Sequence, residues 1–378
     1  VTLKIEALEQ GRGPGDGTVE AFLGANTFPI VEGDRVTFVY RGEATAVKLW
    51  HGIYGLPTFQ AFTRMPWTDL WYLVLDLPPG SRMEYKLHVE RDGHQRLIRD
   101  PLNPRVAHDP YGANSVCYGS GHEVPEWTIE DKEARPGTLE EHDIESKAFG
   151  GPRHVTLYLP ARMRVTRRYP LLIAHDGSDY LRFSGMKAVL DNLIHRLEIP
   201  PMIVACTQSP DRMKEYMADP AHARFIAEDL VPALEDMLPV SKDPASRGLM
   251  GASLGAVASL ATAWRYPKTF GRLLLQSGSF AFTDIGRTYR GPLFEPVVAF
   301  VNSFRARPGR PAEKLFVSCG VYESLIYENR SMVPFLQGTG MDVRYVESRD
   351  GHNWENWRDR LREGLSWLFP GPLWMIYE

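Results

Sequence analysis

Ser253 lies in the run Gly251-Ala252-Ser253-Leu254-Gly255, a G-x-S-x-G frame preceded by the apolar Gly248-Leu249-Met250 and followed by an Ala-rich stretch to Trp264. A strand, a sharp turn and a helix in that order lift a serine Oγ clear of a sheet edge. Glycines flank the serine because the turn crowds strand against helix, where a Cβ at Gly251 or Gly255 would clash. The helix N-terminus behind Ser253 adds positive partial charge where an oxyanion would form. The chemistry this suits is nucleophilic attack on an acyl carbon.

A serine hydroxyl needs a base, and the base needs an orienting acid. For a nucleophile on this kind of turn the chain order is Ser, acid, His. Of the 11 histidines only His222 and His352 lie beyond position 200, and His222 precedes Ser253 in an amphipathic stretch. His352 follows the strand-like Val343-Arg344-Tyr345-Val346 and opens the helical stretch from Trp354, so order and position select it. The acid is expected just past a preceding strand, and Leu315-Phe316-Val317-Ser318-Cys319 ends at Gly320, three residues before Glu323. Asp350 is a rival but sits two residues from His352 on a tight loop; Glu328 comes a helical turn late, and Asp284 follows the strand before. Glu323 is the preferred acid. The oxyanion hole is expected from the N–H of Leu254 and, after the strand Leu171-Leu172-Ile173-Ala174, from that of Ser178 in His175-Asp176-Gly177-Ser178. Asp176 and Asp179 match no metal-loop spacing, so no metal and no cofactor are expected.

These residues need an α/β scaffold. After Arg153 strand-like and helix-like stretches alternate, with strands near 154, 171, 202, 248, 272, 315 and 343 and helices near 186, 222, 254, 325 and 355. Such alternation predicts a mainly parallel sheet with helices on both faces, and Val155–Pro160 is a candidate antiparallel edge. Up to about Tyr118 the chain reads instead as short strands broken by turns such as Leu77-Pro78-Pro79-Gly80, a β-sandwich pattern. The expected organisation is a sandwich over 1–120, a charged connector over 121–150 and a catalytic domain over 151–378. In the first part, Trp50, His51, Trp67 and Trp71 read either as core or as a carbohydrate platform. The long stretch His51 to Leu70, marked by Gly52, Gly55, Pro57 and Pro66, is a candidate specificity loop.

At 378 residues, 43% apolar and 24% charged, the chain has ordinary globular composition. A net charge of −4 without a dense basic tract argues against nucleic acid, and no apolar run is long enough for a membrane span. Three widely spaced cysteines, two of them in apolar strands, predict buried thiols and a reducing, cytoplasmic setting.

The second half resembles the enterochelin-esterase branch of the esterase-D-like α/β-hydrolases. The resemblance rests on Gly251 to Ala256, Tyr266-Pro267, Phe270-Gly271, Gln276-Ser277-Gly278-Ser279-Phe280, Cys319 to Ile326, and Asp350-Gly351-His352-Asn353-Trp354 with Trp357-Arg358. The first half is similar to the N-terminal domain of the same esterases in Asp100-Pro101-Leu102-Asn103-Pro104 and Ala113-Asn114-Ser115-Val116, and to the immunoglobulin-like domain that precedes glycogen-branching catalytic domains. The resemblance implies an α/β-hydrolase catalytic domain behind an N-terminal immunoglobulin-like β-sandwich. It also implies a Ser-His-Glu serine esterase acting on a small-molecule ester, namely the trilactone of an enterobactin-type siderophore or a glucosylated relative. Ser279 and Trp354, in the matching stretches, are the expected substrate contacts. Arg182 joins them because an anionic catecholate wants cations, with Arg64 and Arg287 as further candidates. The alternatives are an esterase for feruloyl or acetyl groups, and a binding protein on a hydrolase scaffold; the full Ser, acid and His set disfavours the latter.

Overall fold

The computed structural model describes residues 2–11, 16–283 and 291–372. The chain forms two compact units. The first comprises Val1–Val124 together with Gly320–Ser324 and Ser348–Asn353; the second comprises Pro125–Cys319, Leu325–Glu347 and Trp354–Glu378. Two short turns from late in the chain thus belong to the first unit, although the sequence places them within 151–378.

The first unit opens with two helices the sequence reading did not anticipate, α1 (Lys4–Gln10) and α2 (Asp16–Ala25). Its strands are β1 (Ile30–Glu32), β2 (Arg35–Arg41), β3 (Ala46–His51), β4 (Phe59–Ala61), β5 (Thr63–Arg64), β6 (Leu70–Asp76), β7 (Arg82–Arg91), β8 (His94–Ile98), β9 (Val106–Asp109) and β10 (Gly112–Tyr118). One sheet runs β1-β2-β6-β5 and the other β4-β3-β7-β10-β9, with β8 added on β7. Strand alternation explains the layering. Val36 and Phe38 of β2 and Trp71 of β6 enter a core shared with Val47, Leu49, Met83, Tyr85 and Leu87 of the second sheet. Val39 and Leu70, on the opposite face, pack with Leu3, Ile5 and Val19 of the helical segment. The Asp100–Pro104 motif is a structural pin, since Tyr85 donates to Asp100 at 2.6 Å and Asn103 donates to the Val116 carbonyl at 2.8 Å.

The stretch His51 to Leu70 is less of a loop than its sequence suggests, because β4 pairs with β3 and β5 with β6. His51 and Trp71 are buried, and Trp67 stands out at 94% exposure.

The second unit is built on one sheet of β11 (Thr138–Ser146), β12 (Gly151–Leu159), β13 (Leu171–Ala174), β14 (Ile203–Thr207), β15 (Arg247–Ala252), β16 (Arg272–Gln276), β17 (Lys314–Gly320) and β18 (Asp342–Ser348). The order is β11-β12-β14-β13-β15-β16-β17-β18. From β14 to β17 neighbours are parallel, whereas β12 is antiparallel to both β11 and β14. The edge is therefore β11, from the stretch read as connector, and not β12. Only Ile144 and Ser146 of β11 are buried, and such a charged, mostly exposed strand lacks the apolar signal of a strand while protecting a sheet edge.

Helices cover both faces. They are α3 (Gly177–Phe183), α4 (Met186–His195), α5 (Arg212–Glu215), α6 (Pro220–Arg224), α7 (Val231–Met237), α8 (Leu254–Arg265), α9 (Glu295–Ala306), α10 (Ile326–Gln337), α11 (Trp354–Asp359) and α12 (Leu361–Leu368). Leu249, Leu273, Leu275 and Val317 pack with α7, α8, α9 and α10. Their neighbours Met250, Leu274 and Phe316 pack with α3, α4, α11 and α12. Strands buried on both faces read as continuous apolar runs, which is why the sequence located them. Among the described residues no helix is long and apolar enough to cross a membrane. Cys117, Cys206 and Cys319 are all buried.

Candidate active site

The second unit presents Ser253. β15 is a central strand, buried at every residue, and α8 begins at Leu254. Between them Ser253 takes φ 58° and ψ −119°, a conformation costly for a residue with a Cβ. Tight packing enforces it, because a Cβ on Gly251 would lie 2.5 Å from the backbone of Gly255, and one on Gly255 would lie 3.3 Å from His175. Ser253 donates its N–H to the Gln276 carbonyl at 2.9 Å, and its own carbonyl accepts from the Ser279 N–H at 3.2 Å. Its Oγ is 3.3 Å from the Ser279 Oγ. Alanine and leucine favour α8 intrinsically, and Pro267 follows its end at Tyr266.

The turn after β16 is braced by Trp357 and by Tyr180 and Asn329, which sequence reasoning missed. Tyr180 donates to the Gln276 side chain at 2.7 Å, which donates onward to the Trp357 carbonyl at 2.8 Å. Trp357 donates to the Ser277 Oγ at 2.9 Å. Asn329 of α10 accepts from the Gly278 N–H and donates to the Gly278 carbonyl. These partners are far apart in sequence and carry no local spacing signal.

Leu254 and Ser178 each occupy the first turn of a helix, where N–H groups have no intrahelical acceptor. Ahead of Ser178, Asp176 takes φ 53° and pairs with Arg212 at 2.8 Å. Burial raises the Asp176 carboxyl to about 6 even though Arg212 opposes the shift. Beneath this turn His175 and His222 face each other through their Nε2 atoms at 3.0 Å, and His175 Nδ1 lies 2.9 Å from Ser259 of α8. Burial, with His222 adding to it, pushes His175 well below the usual histidine range, so it is a neutral brace here. Glu215 lies 3.6 Å from His222; burial pushes its carboxyl up, but the nearby His222 and hydrogen bonds from Arg153 and Ser209 outweigh burial and bring it to about 2.

Of the expected substrate contacts, Ser279 is buried beside Ser253, and Arg182 is exposed on α3 with its guanidinium over Phe183. Trp354 is 9% exposed and wedged among Tyr180, Phe183 and Trp357 in the sheet-facing core, a packing position rather than an open contact surface. Arg64 sits on the first unit, over Trp71. Arg287 and Asp284 lie outside the described residues.

The first unit holds Glu323 and His352. Glu323 Oε2 is 2.7 Å from His352 Nδ1, and its Oε1 accepts the Gly320 N–H at 2.7 Å. The glutamate side chain is fully buried and the imidazole is 39% exposed. A carboxylate only accepts, so in the neutral imidazole Nδ1 carries the proton and Nε2 is the acceptor nitrogen, the tautomer a general base requires. Asp350, the rival acid, turns elsewhere. Its Oδ1 takes the Gly351 N–H at 2.7 Å, the Asn353 amide at 2.8 Å and the Arg82 guanidinium at 3.3 Å.

The Esterase family model matches residues 146–368 of this chain. YjcH of Bacillus subtilis is 34% identical over a stretch covering 37% of this chain and 62% of that protein, so the chain spans less than two thirds of that relative's length. The iron(III) enterobactin esterase of Dickeya dadantii is 26% identical over 82% of this chain and 80% of its own. The crystal structure of the ferric enterobactin esterase of Salmonella typhimurium superposes with a TM-score of 0.76 at 22% identity, covering 92% of this chain and 98% of that one, and shows the shared α/β-hydrolase-like fold. The chain is similar to these enterobactin esterases and belongs to the Esterase family of carboxylic ester hydrolases.

Proposed function

We propose that the protein hydrolyses its ester through a Ser253-His352-Glu323 triad. His352 Nε2 takes the Ser253 proton as Oγ attacks the carbonyl carbon, and Glu323 stabilises the imidazolium through Nδ1. The Leu254 and Ser178 N–H groups receive the oxyanion. Collapse expels the alcohol, protonated by His352, and leaves an acyl-serine. Water, activated by the same imidazole, then releases the acid and restores the hydroxyl. The observation that carries this reading is the 2.7 Å contact between a buried Glu323 and His352 Nδ1. The strained Ser253 backbone supports it.

The substrate we propose is an enterobactin-type siderophore lactone, hydrolysed in the cytoplasm for iron release. Relatives bearing the enterobactin esterase name align with both halves of this chain, including the sheet-rich first unit, which we read as an immunoglobulin-like sandwich. Arg182, exposed on the helix that carries Ser178, supplies positive charge for a catecholate anion, and Ser279, on the turn after β16, brings its Oγ within 3.3 Å of the Ser253 Oγ. The test is a comparison of kcat/KM on ferric enterobactin, methyl ferulate and p-nitrophenyl acetate. Preference for the siderophore supports the assignment. Preference for methyl ferulate makes this an aryl-ester esterase, and no fluorophosphonate adduct at Ser253 removes the triad altogether.

A further inference from the structure

We propose that Arg82, on strand β7 of the sheet-rich unit, is a positioning residue that sets the orientation of His352. The proposal rests on the triad reading above. Arg82 is 1% exposed, and it grips the turn Ser348–Asn353 by backbone and by side chain. Its N–H donates to the Arg349 carbonyl at 2.9 Å. Its guanidinium donates to Asn353 at 2.9 Å and to Asp350 at 3.3 Å. Those two residues bracket Gly351-His352, and Asn353 also donates to Asp350 at 2.8 Å. On its other arm Arg82 donates to Glu84 at 2.9 Å, and Glu84 in turn accepts from Asn114 of β10 at 2.7 Å. The turn is therefore tied to a strand at the centre of a sheet.

The acid's turn is tied to the same unit. Tyr322, next to Glu323, shares a 2.5 Å hydrogen bond with Ser81, and its carbonyl accepts the Tyr54 N–H at 2.8 Å. Ser81 and Arg82 are consecutive, so one short segment at the start of β7 holds both turns. A planar guanidinium with donors in fixed directions sets angle as well as distance, which an ammonium does not. For a base whose lone pair must meet a hydroxyl, a displacement of the turn by about 1 Å costs roughly a hundredfold in rate.

The experiment uses the full-length protein. Arg82→Met and Arg82→Lys are compared with wild type for kcat, KM and melting temperature, with kcat expressed per site titratable by fluorophosphonate at completion. Positioning predicts for Arg82→Met a per-site kcat lower by roughly a hundredfold with KM little changed, and partial recovery in Arg82→Lys. A purely structural Arg82 would lower the titratable fraction and the melting temperature but leave per-site kcat at the wild-type value, which overturns the proposal. Should Arg82→Met fail to fold, Asn353→Ala removes one acceptor and leaves the Arg82–Asp350 pair. A per-site kcat clearly below wild type supports the proposal, and a wild-type value overturns it. His352→Ala is run alongside. If that variant retains activity, the triad reading fails; if it is inactive while Arg82→Met is unimpaired, only the positioning role fails.

Discussion

A Cβ on Gly320 would stand 2.3 Å from the carbonyl oxygen of Asp350, so the turn that carries Glu323 and the turn that carries His352 nest at a distance only glycine permits. The closeness is reinforced by the Tyr322 N–H, which donates to the same Asp350 carbonyl at 3.1 Å. This nesting explains how residues 29 positions apart hold a 2.7 Å contact. Asp350, the rival candidate, supports the Glu323 turn with its backbone while its side chain faces Arg82.

Replacing Ser253 by alanine removes one oxygen from a turn held by backbone bonds to Gln276 and Ser279. The variant should keep its melting temperature and lose kcat by roughly a thousandfold or more. Steady-state assay with any cleaved ester checks this, and a tenth of wild-type activity would be far too much for the assignment to survive.

Glu323→Gln keeps the shape of the acid but no longer stabilises an imidazolium, and an amide nitrogen facing Nδ1 selects the wrong tautomer. Its kcat should fall roughly a thousandfold with KM nearly constant. Asp350→Asn should cost at most about tenfold, because it disturbs the turn and not the proton path. Kinetics showing the reverse order would move the acid to Asp350.

Much of the proposed site is legible from residue order. Ser253, Glu323 and His352 each sit just past an apolar strand or ahead of a helix, and strands buried on both faces announce themselves as unbroken apolar runs. What is not legible is held by charge or by distance in sequence. Strand β11 buries only two residues, and helices α1 and α2 are short. Arg82, Asn329 and the His175–His222 pair act through partners tens to hundreds of positions away. Trp354, an aromatic beside the expected base that reads as a substrate contact, is packed against Tyr180.

Gly320→Ala should be more damaging than its size suggests. The added carbon meets backbone oxygen at 2.3 Å and the Glu323 carboxylate at 2.8 Å, neither of which is the free end of a flexible chain. Overpacking of this kind costs about 1–3 kcal/mol, and relief requires the two turns to separate. Both melting temperature and kcat should drop, whereas Gly351→Ala, whose Cβ meets nothing nearer than 3.6 Å, should leave the melting temperature within a degree or two of wild type. Thermal unfolding of the pair checks it; equal behaviour would mean the nesting is loose.

The stability of the protein should fall as pH rises through the range where Asp350 ionises. Burial raises this carboxyl from 3.8 to about 6, against the pull of Arg82 and the hydrogen bonds from Asn353 and Gly351. Between those two values the folded chain binds a proton at Asp350 that the unfolded chain does not. Unfolding then releases a proton, so the unfolding free energy decreases with rising pH across the window, and below it the group contributes nothing to the slope. A shift of this size corresponds to about 3 kcal/mol once the group is fully ionised. Asp350→Asn cannot titrate and mimics the protonated form. Urea unfolding of both proteins at pH 4 and pH 7 should therefore show the variant gaining on wild type as pH rises. Asp176, raised to about 6 by the same cause, tilts both curves alike and cancels in the difference. A difference between the two proteins that stays constant from pH 4 to pH 7 would show that Asp350 is ionised in the folded protein across the whole range, with Arg82 outweighing burial.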